Sequence, residues 1–322
     1  HPILGTLVTG GVLYGLSVVY AFYRYFLKTK KLIFKGKHVF ISGGSTGLGL
    51  SLATMLFKQG AYISIAARNV EKLEKAVEII SKEGSGKVQY FKFDFNNPKT
   101  EDVEKMLDDS ENKFGNIEYL FCNAGFSLPS MFLEAEPEHY ERQINTNFMG
   151  YIKISQPVAK RMAKRRSGTI VYTASILACM TCAGYSPYSP TKHAIKALAD
   201  AAKIELKPYG VNVHLYLPGT ILTPGYEEEN KMKPEVTKKI EGTADCVTAD
   251  QCAIILLNGM RRGDYTITTE MMFELTNIAS LGSCDRENLL FQLSMAPVSV
   301  LLNYIINYIN HKEMSKIKLK IE

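Results

Sequence analysis

The stretch VFISGGSTGLG, Val39 to Gly49, decides the fold. An apolar run ends in a turn with Gly43, Gly47 and Gly49 in the spacing GxxxGxG, and the apolar Leu48 already belongs to a helix start. Glycine lets the backbone turn sharply and pass close to a pyrophosphate, and a helix N-terminus offers N–H groups to an anion. Strand, glycine turn and helix in this order point to a dinucleotide.

The pattern continues outward from this unit. Short apolar runs predict strands over His38–Ser42, Tyr62–Ala66, Val88–Phe93, Ile117–Phe121, Thr169–Thr173 and Val211–Leu217, with a shorter one over Asp264–Thr268. Amphipathic spacing predicts helices near 48–59, 70–83, 98–114, 137–165, 186–207 and 248–262. Strands alternating with helices imply a doubly wound parallel sheet covered on both faces, an α/β fold. No linker interrupts it, so residues 36–270 read as one catalytic domain.

The end of the second strand discriminates between cofactors. A carboxylate there would bind a ribose 2′-hydroxyl and repel a 2′-phosphate. The sequence has Ala67-Arg68-Asn69 instead. Arg68 can pair with the phosphate and Ser45 can add a hydrogen bond, which favours NADP(H) over NAD. Asp94, ending the third strand, can accept from the adenine amino group. Asn123-Ala124-Gly125 ends the fourth with small residues that let a cofactor pass.

Tyr188 and Lys192, in YSPTK, stand at i and i+4 and share a helix face. A free tyrosine has a pKa of about 10. A nearby ammonium stabilises the phenolate and lowers that value, so the tyrosine can give its proton to a carbonyl oxygen while a hydride reaches the carbon. Ser175, at the end of the fifth strand, can hold the same oxygen. Asn147, within a predicted helix, can anchor a water leading to Lys192.

Taken with the glycine turn, Asn123-Ala-Gly125 and Pro218-Gly219, these residues resemble the short-chain dehydrogenase/reductase family over about residues 36 to 265. The resemblance implies a Rossmann-like sheet of seven strands and the catalytic tetrad Asn147, Ser175, Tyr188 and Lys192. It also implies that Lys192 contacts the nicotinamide ribose and that Thr220 and Thr223 lie at the nicotinamide end. Ser42 stands where the family usually has threonine, and keeps the hydroxyl. Dimers or tetramers through helices 137–165 and 186–207 are a further implication.

The chain has 322 residues, 46% of them hydrophobic and 22% charged, with a net charge of +6. Much of the positive excess sits at Lys28, Lys30, Lys31, Lys35 and Lys37 and again at Lys312, Lys316, Lys318 and Lys320. Lysines flanking apolar ends fit a membrane surface, and no basic stripe interleaved with aromatics points to nucleic acid. Ile3 to Tyr23 carry no charge and would make a helix of about 30 Å, long enough to span a bilayer. Residues 1–27 therefore read as a transmembrane anchor, with Arg24 and the lysines on the cytosolic side. Residues 271–322 hold an apolar segment, Leu289 to Ile309, broken by Gln292, Pro297 and Asn303, and a basic tail. A re-entrant or interfacial helix fits this segment, and a helix covering the substrate entrance is the other reading. The ending Lys318-Leu-Lys320-Ile-Glu322 resembles a dilysine retrieval signal, which implies the endoplasmic reticulum membrane with the catalytic domain in the cytosol. Six cysteines include Cys179 and Cys182 in CxxC spacing, but no second ligand pair stands at a zinc-site distance, so no metal is expected.

The substrate loop is Thr223 to Pro234, TPGYEEENKMKP. Thr223 suits an N-cap, Pro224 the first helical position, and Glu227–Lys231 and Glu229–Lys233 are favourable i,i+4 pairs. The stretch also resembles that of the 3-ketodihydrosphingosine reductases within the same family. This implies NADPH-dependent reduction of 3-ketosphinganine to sphinganine, and Glu227, Glu228 or Glu229 could then meet the substrate's protonated amine. Pro218-Gly219-Thr220 departs from the Pro-Asp-Thr expected in that group. A membrane-bound steroid, retinoid or 3-ketoacyl-CoA reductase of the family, or a non-catalytic NADPH-binding scaffold, remain the alternatives.

Overall fold

The computed structural model describes residues 32–242, 246–270 and 289–314, with single positions at 15, 19, 23, 274, 276 and 277. β1 (His38–Ser42) is buried along its whole length. It pairs in parallel with β2 (Tyr62–Ala67) on one edge and β4 (Ile117–Cys122) on the other. A central parallel strand has no solvent side, which is why its middle, Val39 to Ile41, is apolar without alternation, while His38 and Ser42 at its ends find buried hydrogen-bond partners. β3 (Lys87–Lys92), β5 (Gly168–Thr173), β6 (Val211–Leu217) and β9 (Thr266–Thr268) complete a seven-stranded sheet in the order β3-β2-β1-β4-β5-β6-β9. A separate parallel pair joins β7 (Ile221–Leu222) to β8 (Val247–Thr248).

Helices cover both faces. On one side α1 (Gly47–Lys58), α2 (Val70–Ser81) and α9 (Ala249–Arg262) bury Leu52, Leu56, Leu73, Ile80 and Leu256 against Ile63 and Ile65. On the other, α3 (Thr100–Phe114), α5 (Gly150–Lys164) and α6 (Ser189–Leu206) bury Leu107, Ile154 and Ile195 against Ile170 and Leu215. Each fully buried leucine or isoleucine contributes about 2 kcal/mol over an exposed one. The helix starts follow local chemistry. Asn69 accepts from the Lys72 N–H at 2.8 Å, and Thr248 with Gln251 forms a capping box.

Strand order reverses between β1 and β4, so a crevice opens at their C-terminal ends. The glycine turn and the ends of β2 to β6 all face it.

Three expectations are corrected. The helix predicted over 137–165 is interrupted: α4 (Pro137–Gln143) passes into a π-helical turn, Ile144–Met149, before α5. The wider turn carries Asn147 inward, and such turns cluster at functional sites. The helix predicted from 186 begins at Ser189, because Pro190 suits only the first turn and leaves Tyr188 as the N-cap residue. The last strand is shorter than predicted. Between β7 and β8 stand two lid helices, α7 (Pro224–Met232) and α8 (Glu235–Glu241).

The expected N-terminal anchor and the dilysine tail lie outside the described residues. Among the described residues no helix is long and apolar enough to cross a membrane. The C-terminal apolar segment forms α10 (Leu289–Met314), which packs against α8. Its Val300, Leu301, Tyr304 and Tyr308 remain largely exposed.

A polar network lies beneath the sheet. His38 Nδ1 is 2.7 Å from the Gly115 carbonyl, which can only accept, so this nitrogen carries the proton. Nε2 then accepts from Ser64 or Ser110, at 2.8 and 3.2 Å. Burial holds His38 below the ordinary histidine range, and His214 likewise. A histidine lowered in the folded state binds its proton more readily when unfolded. Its stabilising contribution is complete above the unfolded pKa of about 6.5 and shrinks as pH falls below it. Unfolding free energy should therefore fall between about pH 7 and about pH 5, by at most about 1.4 kcal/mol per pH unit for each histidine. His38→Gln should flatten that slope in urea titrations, and an unchanged slope would remove His38 as a source.

Candidate active site

The glycine turn is held by β4. Ser42 Oγ accepts from the N–H groups of Asn123 and Ala124 at 3.0 and 3.2 Å, so the hydroxyl kept at this position joins the two strands at the crevice. Gly43 has a φ of +70°, and a Cβ there would lie 2.8 Å from the Ala124 Cα. A Cβ on Gly49 would lie 2.1 Å from the Gly43 carbonyl oxygen. The turn is thus closed against itself, and α1 starts with no acidic residue in its first turn. Its N–H groups are left to an anion.

A single cavity of about 790 Å³ runs from this turn to the lid helices. Gly43, Ser45, Gly47, Leu48, Arg68, Asp94, Asn123, Ala124 and Gly125 line the end of it nearest the glycine turn. Ser175, Tyr188, Lys192, Pro218, Gly219, Thr220 and Thr223 line the end nearest the lid helices. Gly49 and Asn147 stand behind the wall. Arg68 is exposed and has no ion pair among the described residues, while Asp94 accepts from the Asn96 N–H at 2.9 Å. Gly219 N–H donates to Thr269 at 3.0 Å, which fixes the loop after β6.

Asn147 is fully buried. Its Oδ1 accepts from the Phe126 N–H at 3.0 Å, and its Nδ2 donates to the Phe126 carbonyl at 2.9 Å and to Thr191 at 3.2 Å. The side chain therefore braces the loop after β4 against α6, and its amide is committed to protein partners. Lys192 is 4% exposed and donates to the Thr173 carbonyl at 3.2 Å. Its ammonium lies 5.4 Å above the centre of the Tyr188 ring. Burial lowers its pKa to about 7.

Tyr188 departs from expectation in sign. Burial, and then the charge of Glu229, push its phenol above the ordinary tyrosine range, while a hydrogen bond with Ser175 offsets part of this. Lys192 faces the ring rather than the oxygen and is itself desolvated, so burial outweighs its field here.

The three lid glutamates separate. Thr223 caps α7 as expected, accepting from the Tyr226 N–H at 3.1 Å. Glu227 is exposed and does not line the cavity, and the expected Glu227–Lys231 pair is not formed. Lys231 pairs with Glu228 instead, at 2.6 Å, with both side chains about two-thirds exposed at 67% and 68%. Glu228 still reaches the cavity rim. Glu229 turns inward and makes the expected pair with Lys233, at 3.3 Å. Sequence reasoning missed Tyr185 and Glu241, which line the same wall, and the near-complete burial of Lys233. Tyr185 stands three residues before Tyr188, which was the available signal; Glu241 left none.

The fold and the site define an oxidoreductase of the dinucleotide-binding α/β class. A family model described as short chain dehydrogenase matches residues 37–234, and the chain belongs to the short-chain dehydrogenase/reductase family. It is 34% identical over 261 residues to a protein of Cryptococcus neoformans named 3-ketodihydrosphingosine reductase, covering 80% of this chain and 77% of that one. It is 30% identical over 322 residues to the 3-ketodihydrosphingosine reductase of Dictyostelium discoideum, covering 95% and 96%. A short-chain dehydrogenase from Sphingobium yanoikuyae, solved in complex with NADPH, shares the fold with a TM-score of 0.65 at 23% identity, over 73% of this chain and 88% of that one.

Proposed function

We propose that this chain reduces the 3-keto group of 3-ketodihydrosphingosine with NADPH, giving dihydrosphingosine. The observation that carries the reading is one cavity that joins the glycine turn, Tyr188 and an inward carboxylate of the lid. The likeness to relatives named for this substrate supports it.

Bound NADPH supplies the hydride. Gly43, Gly47, Leu48 and Gly49 would leave room and N–H groups for its pyrophosphate, Arg68 and Ser45 would hold the 2′-phosphate, and Asp94 would accept from the adenine amino group. Asn123, Ala124 and Gly125 would let it pass, and Pro218, Gly219, Thr220 and Thr223 would border the nicotinamide. Tyr188 gives a proton to the ketone oxygen, and Ser175 steadies that oxygen. Lys192, with a pKa of about 7, exchanges protons near neutral pH and is placed to hold the ribose. Asn147 positions the loop and Lys192 from behind.

The apolar face of α10 extends the reading to a membrane. Val300, Leu301, Tyr304 and Tyr308 are exposed along it, and Ile309 reaches the cavity wall. A long-chain ketone could enter there from lipid.

Detergent-solubilised full chain, given NADPH, should reduce 3-ketodihydrosphingosine in preference to a 3-ketosteroid, retinal or a 3-ketoacyl-CoA, and NADH should serve less well. Preference for one of the other ketones would replace the reading. Flotation with phosphatidylcholine vesicles checks the membrane element, which fails if the protein stays in the soluble fraction.

A further inference from the structure

Beside Tyr188, two carboxylates and one ammonium share a confined space. Tyr185 Oη lies 2.6 Å from Glu229 Oε1 and 2.6 Å from Glu241 Oε1. Lys233 Nζ lies 2.7 Å from Glu241 Oε2 and 3.3 Å from Glu229 Oε1, with its side chain 1% exposed. The same ammonium sits 4.8 Å over the Tyr226 ring and 5.8 Å over the Tyr185 ring. Two carboxylates and two aromatic faces make a good environment for an alkylammonium, and one is already seated in it.

Ionised together, Glu229 and Glu241 would set two negative charges against the single positive charge of Lys233. Tyr185 has one proton for the two carboxyl oxygens 2.6 Å from it, and burial raises the Glu229 carboxyl, so without a further cation the space favours a proton on Glu229. Both oxygens of Glu241 have partners, whereas Glu229 Oε2 has none among the described residues, and Glu229 lines the cavity. A part-buried carboxylate with one open oxygen at a cavity wall is a costly arrangement until a cation arrives. Lys233 is held more closely by Glu241 and is buried, so releasing it would cost more than adding a second cation at the open oxygen.

The position also limits what the cation can be. The Tyr185 and Tyr188 rings stand 5.9 Å apart, so Glu229 is one side chain away from the proton donor. Resting on the reading of the site as a ketone reductase, we propose that Glu229 takes an ammonium carried by the carbon next to the ketone. Glu241, Lys233 and Tyr185 form the frame that aims it. The field at Tyr188 agrees: Glu229 raises that phenol, and a cation on Glu229 would relieve the effect.

The test compares 3-ketodihydrosphingosine with the same ketone lacking its amine, using full chain and NADPH. Wild type should favour the amine substrate by at least about tenfold in kcat/KM, mainly through KM. Glu229→Gln should lose that preference, its KM for the amine substrate rising toward that of the deaminated ketone. Glu227→Gln, outside the cavity, should keep the preference. Thermal melting and NADPH fluorescence establish that the variants are folded. Independently of any variant, dihydrosphingosine should inhibit wild type more strongly than its deaminated analogue. Equal handling of the two ketones by wild type, or equal losses on both in Glu229→Gln, would overturn the ammonium site and leave ketone reduction standing. Reduction of neither ketone would overturn the reductase reading itself.

Discussion

Tyr188→Phe should lower kcat for ketone reduction by about 10²- to 10⁴-fold, the range that general acid catalysis supplies. The substitution keeps the ring, so the tilted contact with Tyr185 at 5.9 Å and the Lys192 ammonium over its face at 5.4 Å have no reason to change. It removes the hydroxyl and with it the proton. NADPH affinity, read from the fluorescence of the reduced nicotinamide, should stay within a few-fold of wild type. Loss of turnover with retained binding assigns the proton to Tyr188. Retained turnover would mean that another group, or water, supplies it, and would return the scaffold reading to consideration if the cellular role survived as well.

Gly49→Ala is the largest expected effect on the cofactor end. Helix propensity alone would make the alanine variant more stable, by about 1 kcal/mol. The local geometry opposes this: a Cβ would sit 2.1 Å from the Gly43 oxygen and 2.9 Å from the Asn123 amide nitrogen. Those contacts are backbone and a braced side chain, which cannot yield cheaply. Overpacking of this kind costs about 1–3 kcal/mol or more, which exceeds the propensity gain. The variant should melt several degrees lower, at roughly 2–4 °C per kcal/mol for a domain of this size. Because relief requires the turn to open, NADPH affinity should fall at least about tenfold. A variant that melts higher and binds NADPH normally would show that the turn is not closed as described.

The central strands were readable because burial on both faces leaves a direct mark: His38–Ser42 and Val211–Leu217 are apolar runs, and both stand where predicted. The cap at Thr223 was readable for a similar reason, since a cap depends on residues three positions apart. The Glu229–Lys233 pair was visible as helical spacing, but the spacing of Glu227 and Lys231 was equally good and that pair is not formed. Spacing states which residues share a face; it does not state which face turns inward. The π-helical turn at Asn147 had no local signature, because it depends on what the Asn147 amide finds in the Phe126 loop.

The amino-acid sequence by itself determined the strands and helices, the glycine turn and the spacing that brings Tyr188 and Lys192 together, since each leaves its mark in a local pattern of residues even where, as in the sheet, the pairing partners are far apart in the chain. Tertiary structure decided the rest. It seated Lys233 between Glu229 and Glu241, set Tyr185 against both, and raised the Tyr188 phenol where a nearby lysine alone would have lowered it. Glu241 comes to this wall from a different helix than Glu229, and α10 packs on that second helix from the far end of the chain. Burial and the field at a site sum over every element packed around it, and that sum exists only once the chain has folded.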